Sequence, residues 1–323
     1  MVIMRKGSLE YWPHRRAKRQ MPRVRAWPAI AEPVFEGLVA YKAGMTHVAM
    51  TDDSEGPGKG MEVVRAVTVM EIPKIYLYGI RAYKKKYLYT EPFAEVYDAV
   101  LAKRVGIKAI KSNDLNALRS GAAEFERVTA LCFLDAGSMG FGNKRVMRFE
   151  VPVGGKDTAE KFAFVEKWLG KEVKVSDVLS AGEYIDVTGI SKGKGWAGVI
   201  KRFGVSRNVR KATGKVRHVG VLGAWHPAKV MFTVPHAGHM GYNYRTELNK
   251  RVLRVGTAAD ASTVNVKGGF PNFGNVKSDF IIVDGSVPGP AKRLLRIRKA
   301  LRSTEKAKVP QMAYLSQASK QGA

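Results

Sequence analysis

Short apolar runs dominate this chain, and for most of its length their period is two. Val34 to Ala49 reads as two strands around a Lys42-Ala43-Gly44 turn. Met61 to Met70 is rich in valine, and Ile75 to Tyr83 alternates apolar with other residues, so these segments predict a β-meander. After Thr90 the period changes: Phe93, Val96, Tyr97, Val100 and Leu101 make the i, i+3, i+4, i+7, i+8 stripe of an amphipathic helix. A short helix capped by Asn113 is expected up to Arg119, then a strand pair at Val128 to Leu134 and Val146 to Val151. Asp157 or Thr158 is placed to cap a helix through Leu169, with Glu160 in the first turn, where the helix dipole favours an acid. Strands resume at Tyr184 to Thr188, Gly198 to Lys201, Val216 to Leu222, Lys250 to Val255, Phe280 to Val283 and Leu294 to Ile297. Many short strands on both sides of a helical stretch predict a mainly β fold with an α/β insertion: a strongly bent barrel over 32–83 and 182–323, interrupted by an inserted domain over 84–181 and preceded by an extension over 1–31.

Charge changes this picture. The 323 residues hold 55 Lys and Arg against 28 Asp and Glu, a net +27 that repels itself unless a polyanion neutralises it. Residues 1–28 carry 8 basic and 1 acidic residue, 29–187 carry 22 of each, 188–259 carry 14 and 1, and 260–323 carry 11 and 4. The surplus thus belongs to the two ends and one internal segment. Between Asp186 and Asp260 the one acid is Glu247, whereas an ordinary solvated face mixes both signs. Clustered base of this kind is the electrostatic footprint of a phosphate partner. Gly204 to Val216 and Gly223 to Thr246 show few strand signals, and the second carries Trp225, Phe232, Tyr242 and Tyr244. Disordered linkers are poor in aromatics, so ordering against a partner is expected. Base, glycine and stacking faces together favour RNA over DNA.

Other chemistry finds little to rest on. Gly193, Gly195 and Gly198 spell GxGxxG, but the residues after them read as extended, and no acid for a ribose follows before Glu247. His226, His236 and His239 lack the remaining ligands of a zinc site, and DDSEGPGKG at 52–60 reads as a solvated hairpin turn. No catalytic carboxylate pair or nucleophile arrangement stands out, so no cofactor, metal or small-molecule substrate is expected. The single Cys132 and the lack of any run near 18 apolar residues fit an intracellular protein with no membrane partner. The competing functions are an RNA-modifying or processing enzyme built on a basic RNA-binding barrel, and a chromatin-type DNA binder.

The blocks GLVAYKAGMTHV at 37–48, VTVMEIPKIYLYGIRAY at 67–83, YIDVTGISKGKGWAGVIKRFG at 184–204, AGHMGYNYRTELNKRVLRVG at 237–256 and DFIIVDGSVPGPAKRLLRIR at 279–298 resemble, in order, the ribosomal protein L3 family of the large subunit. The opening RKGSLEYWPHRRAKRQMPRVRAWP and the loop LGAWHPAKVMFTVPHAGHMG resemble its archaeal and eukaryotic branch, and the length suits the archaeal members. The resemblance implies a six-stranded translation-protein-type barrel, an α/β insert, a basic extension, and a finger at 223–245 reaching toward the peptidyl transferase centre with Trp225 near its tip beside His226. It implies a structural, non-enzymatic cytoplasmic protein that binds large-subunit rRNA early in assembly among neighbouring ribosomal proteins. A histidine modified in some members has no counterpart in Ala212-Thr213-Gly214-Lys215.

The residues expected at rRNA are Arg5, Lys6, Arg15, Arg16, Lys18, Arg19, Arg23 and Arg25 in the extension. Lys192, Lys194, Lys201, Arg202, Arg207, Arg210, Lys211, Lys215 and Arg217 follow in the basic segment, and Trp225, His226, Lys229, His236, His239, Tyr242 and Arg245 in the finger. Trp12 and Trp27 sit where no local core is visible and are expected to meet RNA or a partner protein. Trp196 is left between core packing and stacking.

Overall fold

The computed structural model describes residues 12–84, 87–89, 119, 121, 124–139, 142–143, 146–211, 215–303 and 308–321. The stripe from Phe93 to Leu101, the helix expected from Asn113 save Arg119, and Arg5 and Lys6 lie outside them. The chain divides into two compact units, a larger one of Met21–Gly189 with Thr246–Ala323 and a smaller one of Met1–Gln20 with Ile190–Arg245.

The larger unit is mainly β, as the alternating pattern predicts. β1 (Gly37–Thr51), β2 (Glu62–Ile72), β8 (Tyr184–Ile190), β11 (Tyr244–Gly256), β12 (Asp279–Asp284), β13 (Leu294–Lys299) and β14 (Met312–Leu315) form one sheet in the order β13-β8-β11-β12-β2-β1-β14, and β13 also pairs with β1. The Lys42-Ala43-Gly44 turn expected in the first run is instead a register shift inside one fifteen-residue strand. Burial explains it: Ala43 is fully buried, and the Lys42 ammonium donates to Val287 O at 2.8 Å and Gly289 O at 3.2 Å, so a polar hairpin end has no place there. Gly44 lets the Phe270 ring close on β1, since a Cβ would stand 2.4 Å from its Cδ1.

The meander is also only partly formed. β1 and β2 are antiparallel neighbours from Tyr41↔Glu71 to Thr51↔Glu62, but β3 (Ile75–Lys84) leaves them and pairs with β5 (Arg127–Leu134). With β4 (Tyr87–Tyr89), β6 (Met147–Pro152) and β7 (Glu172–Val173), these strands make a second sheet. The helix α1 (Thr158–Trp168) packs on it through buried Phe162 and Val165. Asp157 is its N-cap position without a side-chain bond, while Glu160 reaches back to accept from Lys156 N at 3.0 Å.

Some charged groups taken into this core are held by several hydrogen bonds. Asp186, fully buried, accepts from Arg298 Nε at 3.0 Å, Arg298 Nη2 at 2.8 Å and Asn249 N at 2.9 Å. Glu71 accepts from Lys277 N at 2.7 Å and Ser278 N at 2.8 Å. Such pairing is what makes a buried charge tolerable. One carboxylate oxygen of Glu71 and one of Glu36 have no hydrogen-bond partner, and burial raises the pKa of Glu36 to about 7 against the pull of Lys161 and Arg127.

Candidate nucleic-acid interface

The smaller unit is built on little apolar material. β9 (Gly193–Ala197) and β10 (Gly238–Gly241) pair with Gly238 opposite Ala197 and His239 opposite Trp196. Gly241 has φ +75°, and a Cβ there would come within 2.0 Å of Lys192 O, so only glycine closes this ladder. The expected strand from Gly198 to Lys201 is instead the helical turn α2 (Val199–Phe203), bounded by Gly204 in the left-handed conformation at φ 69°. Its i, i+4 pair Val199 and Phe203 forms, with Val205, the small core of this unit. The stretch expected as a strand at Val216 to Leu222 is irregular and mostly exposed, for no partner strand meets it among the described residues.

Trp12, expected to lack a local core, has one. Its ring stacks on Phe203 at 5.8 Å and on His14 at 4.5 Å, and meets the edge of Phe232 at 6.1 Å. The basic extension is held by backbone: Ala17 N donates to Tyr242 O at 2.8 Å, and Asn243 Nδ2 to Arg15 O at 2.9 Å. Burial, with Arg202 and Arg245 nearby, lowers the pKa of His14. Trp27 likewise has neighbours within the larger unit, packing against Gly37 and under the Arg296 guanidinium at 5.3 Å from its ring centre.

Most expected contact residues stand open. Arg15, Arg16, Lys18, Arg19, Lys192, Lys194, Lys201, Arg207, Arg210, Lys211, Lys215, Arg217 and Lys229 are exposed in the smaller unit, and so are Arg23 and Arg25 in the larger. Arg202 is different: half-buried, it donates from Nη1 to His236 O at 2.9 Å and lies over the Phe203 ring at 5.1 Å. Its charge helps hold the loop. Tyr242 and Arg245 are half-buried too, while His226, His236 and His239 are exposed. Among the described residues no three His, Cys, Asp or Glu side chains stand close enough to hold a metal ion, and no helix is long and apolar enough to cross a membrane.

The aromatics complete the surface. Trp225 is 89% exposed, Val221, Val230, Met231 and Phe232 are also exposed in the same stretch of chain, and the loop from Leu222 to Val230 bounds a cavity of about 350 Å³. Trp196 is 70% exposed, held edge-on to His239 at 5.3 Å. The sequence leaves Trp196 between core packing and stacking; on this exposed, glycine-rich strand it is not part of the core.

A strongly cationic surface set with uncovered aromatic rings, joined to a mainly β body, has the character of a ribosomal protein. Comparison with known proteins bears on that class directly. The family model described as Ribosomal protein L3 matches residues 2–113 and 108–322. The large ribosomal subunit protein uL3 of Methanobrevibacter smithii is 39% identical over 328 residues, covering 98% of each chain. Those of Methanothermobacter thermautotrophicus and Methanococcus maripaludis are 39% and 38% identical, covering 98% of this chain and 98% and 97% of their own. The chain belongs to the ribosomal protein L3 family, in its archaeal form, and the family is non-enzymatic.

Proposed function

We propose that the protein is a structural component of the large ribosomal subunit in the cytoplasm, binding large-subunit rRNA early in assembly and sending residues 223–245 as a finger toward the peptidyl transferase centre. The observation that carries this reading is the smaller unit's charge: 17 basic residues and one acid, with most of the described cations exposed and little core beneath them. Lys192, Lys194, Lys201 and their neighbours neutralise phosphates, each modestly, and binding is strongly salt-dependent because counterions are released. Trp196 and Trp225 offer stacking faces to unpaired bases. The six strands β1, β2, β12, β11, β8 and β13, joined pairwise in a ring, are read as the family's barrel, with 84–181 as its insert and 1–31 as its extension. Sedimentation of a native extract through a sucrose gradient tests the proposal. The chain should travel with the large subunit and its rRNA; quantitative recovery at the top of the gradient as free protein would refute it.

A further inference from the structure

One end of the large sheet does not share the chain's surplus of base. Residues 45–66, the outer half of β1, its hairpin and the first part of β2, hold Asp52, Asp53, Glu55 and Glu62 against Lys59 and Arg65, with Asp53 paired to Arg251 of β11. Residues 309–319, which include β14, carry no charge at all. β14 ends the sheet order and pairs only with β1, so its other edge is open among the described residues. Register places Tyr314, Ala49 and Val64 side by side across β14, β1 and β2, on the face that also carries Met45. Tyr314 is 57% and Val64 66% exposed, standing on either side of the small Ala49. Glu62, two residues before Val64 on the same face of β2, is exposed, and neither it nor Glu55 has a hydrogen-bond or ion-pair partner among the described residues.

An open strand edge, an apolar row beside it and unpaired acids at its end are what an extended cationic peptide requires: main-chain hydrogen bonds give affinity, and side chains on alternate positions reach the apolar and acidic groups. We propose that the β14 edge with the Tyr314-Ala49-Val64 row is a protein-docking face, whose occupant is an extended Lys/Arg-rich segment of a neighbouring ribosomal protein, added as a strand beside β14. This rests on the placement in the large subunit proposed above. It assigns a different partner to each unit, RNA to the cationic smaller unit and protein to the sheet edge of the larger.

A photo-crosslinker placed as Tyr314→p-benzoylphenylalanine, and separately as Val64→p-benzoylphenylalanine, tests it in purified large subunits that carry the tagged chain. Irradiation followed by mass spectrometry should join position 314 to a Lys/Arg-rich stretch of another ribosomal protein. Glu55→Lys with Glu62→Lys in the same chain should lower that yield at least about fivefold, since charge complementarity sets encounter and register. A cross-link from 314 to rRNA, to a second copy of this chain, or from neither position to any molecule overturns the proposal, as does a yield unaffected by the charge reversal. Sedimentation of the unsubstituted chain keeps the two readings apart: if it enters the subunit while these outcomes fail, only the docking face is lost.

Discussion

The two units spend their sequence differently. The smaller carries 17 basic residues and one acid, a net +16, while the much longer remainder carries 38 and 27, a net +11. Packing runs the opposite way: the smaller unit's core is Val199, Phe203 and Val205 with Trp12 against them, whereas one continuous cluster in the larger joins both sheets and α1. Nine of the sixteen exposed large apolar side chains among the described residues belong to the smaller unit, so its apolar residues are not chiefly spent on its own stability. The larger unit is stabilised from inside. In the smaller, self-repulsion opposes a compact state that buries so little.

The sharpest test of the internal half is Phe280→Ala. Phe280 is fully buried on β12, fitted against Gly256, where a Cβ would stand 2.2 Å from its Cζ. The truncation should cost about 3 to 5 kcal/mol in a denaturant melt of the free protein. Loss of under about 1 kcal/mol would mean that the sheet is not the seat of stability.

A comparable effect should come from pH through Glu36. Its folded pKa of about 7 lies above the ordinary carboxylate value, so the protonated form is the one the fold favours. That contribution is complete below the unfolded value near 4.5 and is lost as pH rises through about 7, amounting to roughly 3 kcal/mol at 1.36 kcal/mol per pH unit. Glu36→Gln should flatten this part of the stability-pH curve and stabilise the protein at neutral pH. An unchanged curve would place the charge in water.

The smaller unit should answer to salt instead. Lys192, Lys194 and Lys201 are exposed, unlike Arg202, whose guanidinium is bonded to His236 O. Replacing the three lysines by Ala should reduce the salt slope of rRNA binding by about 2 to 3 units and weaken binding roughly 10- to 100-fold at physiological salt, with the melting curve unmoved. A slope that stays put would mean that these charges face solvent in the complex.

How far the sequence foretold this division depends on the residues. β2, β5 with β6, β12, β13 and α1 were legible because their apolar periods are decided by one continuous core, and the charge count isolated 188–259 without any structure. Three segments misled for local reasons. Lys42-Ala43-Gly44 has turn chemistry but is buried, with the lysine spent on two carbonyls. Val199-Ile200 has strand propensity, yet the Val199/Phe203 spacing and Gly204 at the C-terminal end are helix signals that outweigh it. Val216 to Leu222 has valines without a partner strand, and propensity alone makes no sheet. β14 escaped because four residues, most of them neither β-branched nor aromatic, give no period to read. Of the candidate site, the clustering of the cations is visible in the sequence, whereas the place of Trp225 near a fingertip comes only from the family resemblance. The core of Trp12 was not legible, because its partner Phe203 lies almost 200 residues away.

The smallest expected effect contrasts two tryptophans inside the same basic unit. Trp12 is half-buried and stacked on Phe203, so Trp12→Ala should cost about 1 to 2 kcal/mol locally, less than a full core truncation, and speed amide exchange in 199–205. Trp225, at 89% exposure, should lose no more than about 0.5 kcal/mol on replacement by Ala, the range of a surface change. The cost of Trp225→Ala should appear only with RNA present, as the loss of a stacking face worth about 1 to 3 kcal/mol per base. Melts and exchange rates on the free protein, followed by rRNA binding, separate the roles. If Trp225→Ala destabilises the free chain as much as Trp12→Ala, the loop around Trp225 carries a core of its own, and the contrast between a unit with a large core and one with little fails where it should be clearest.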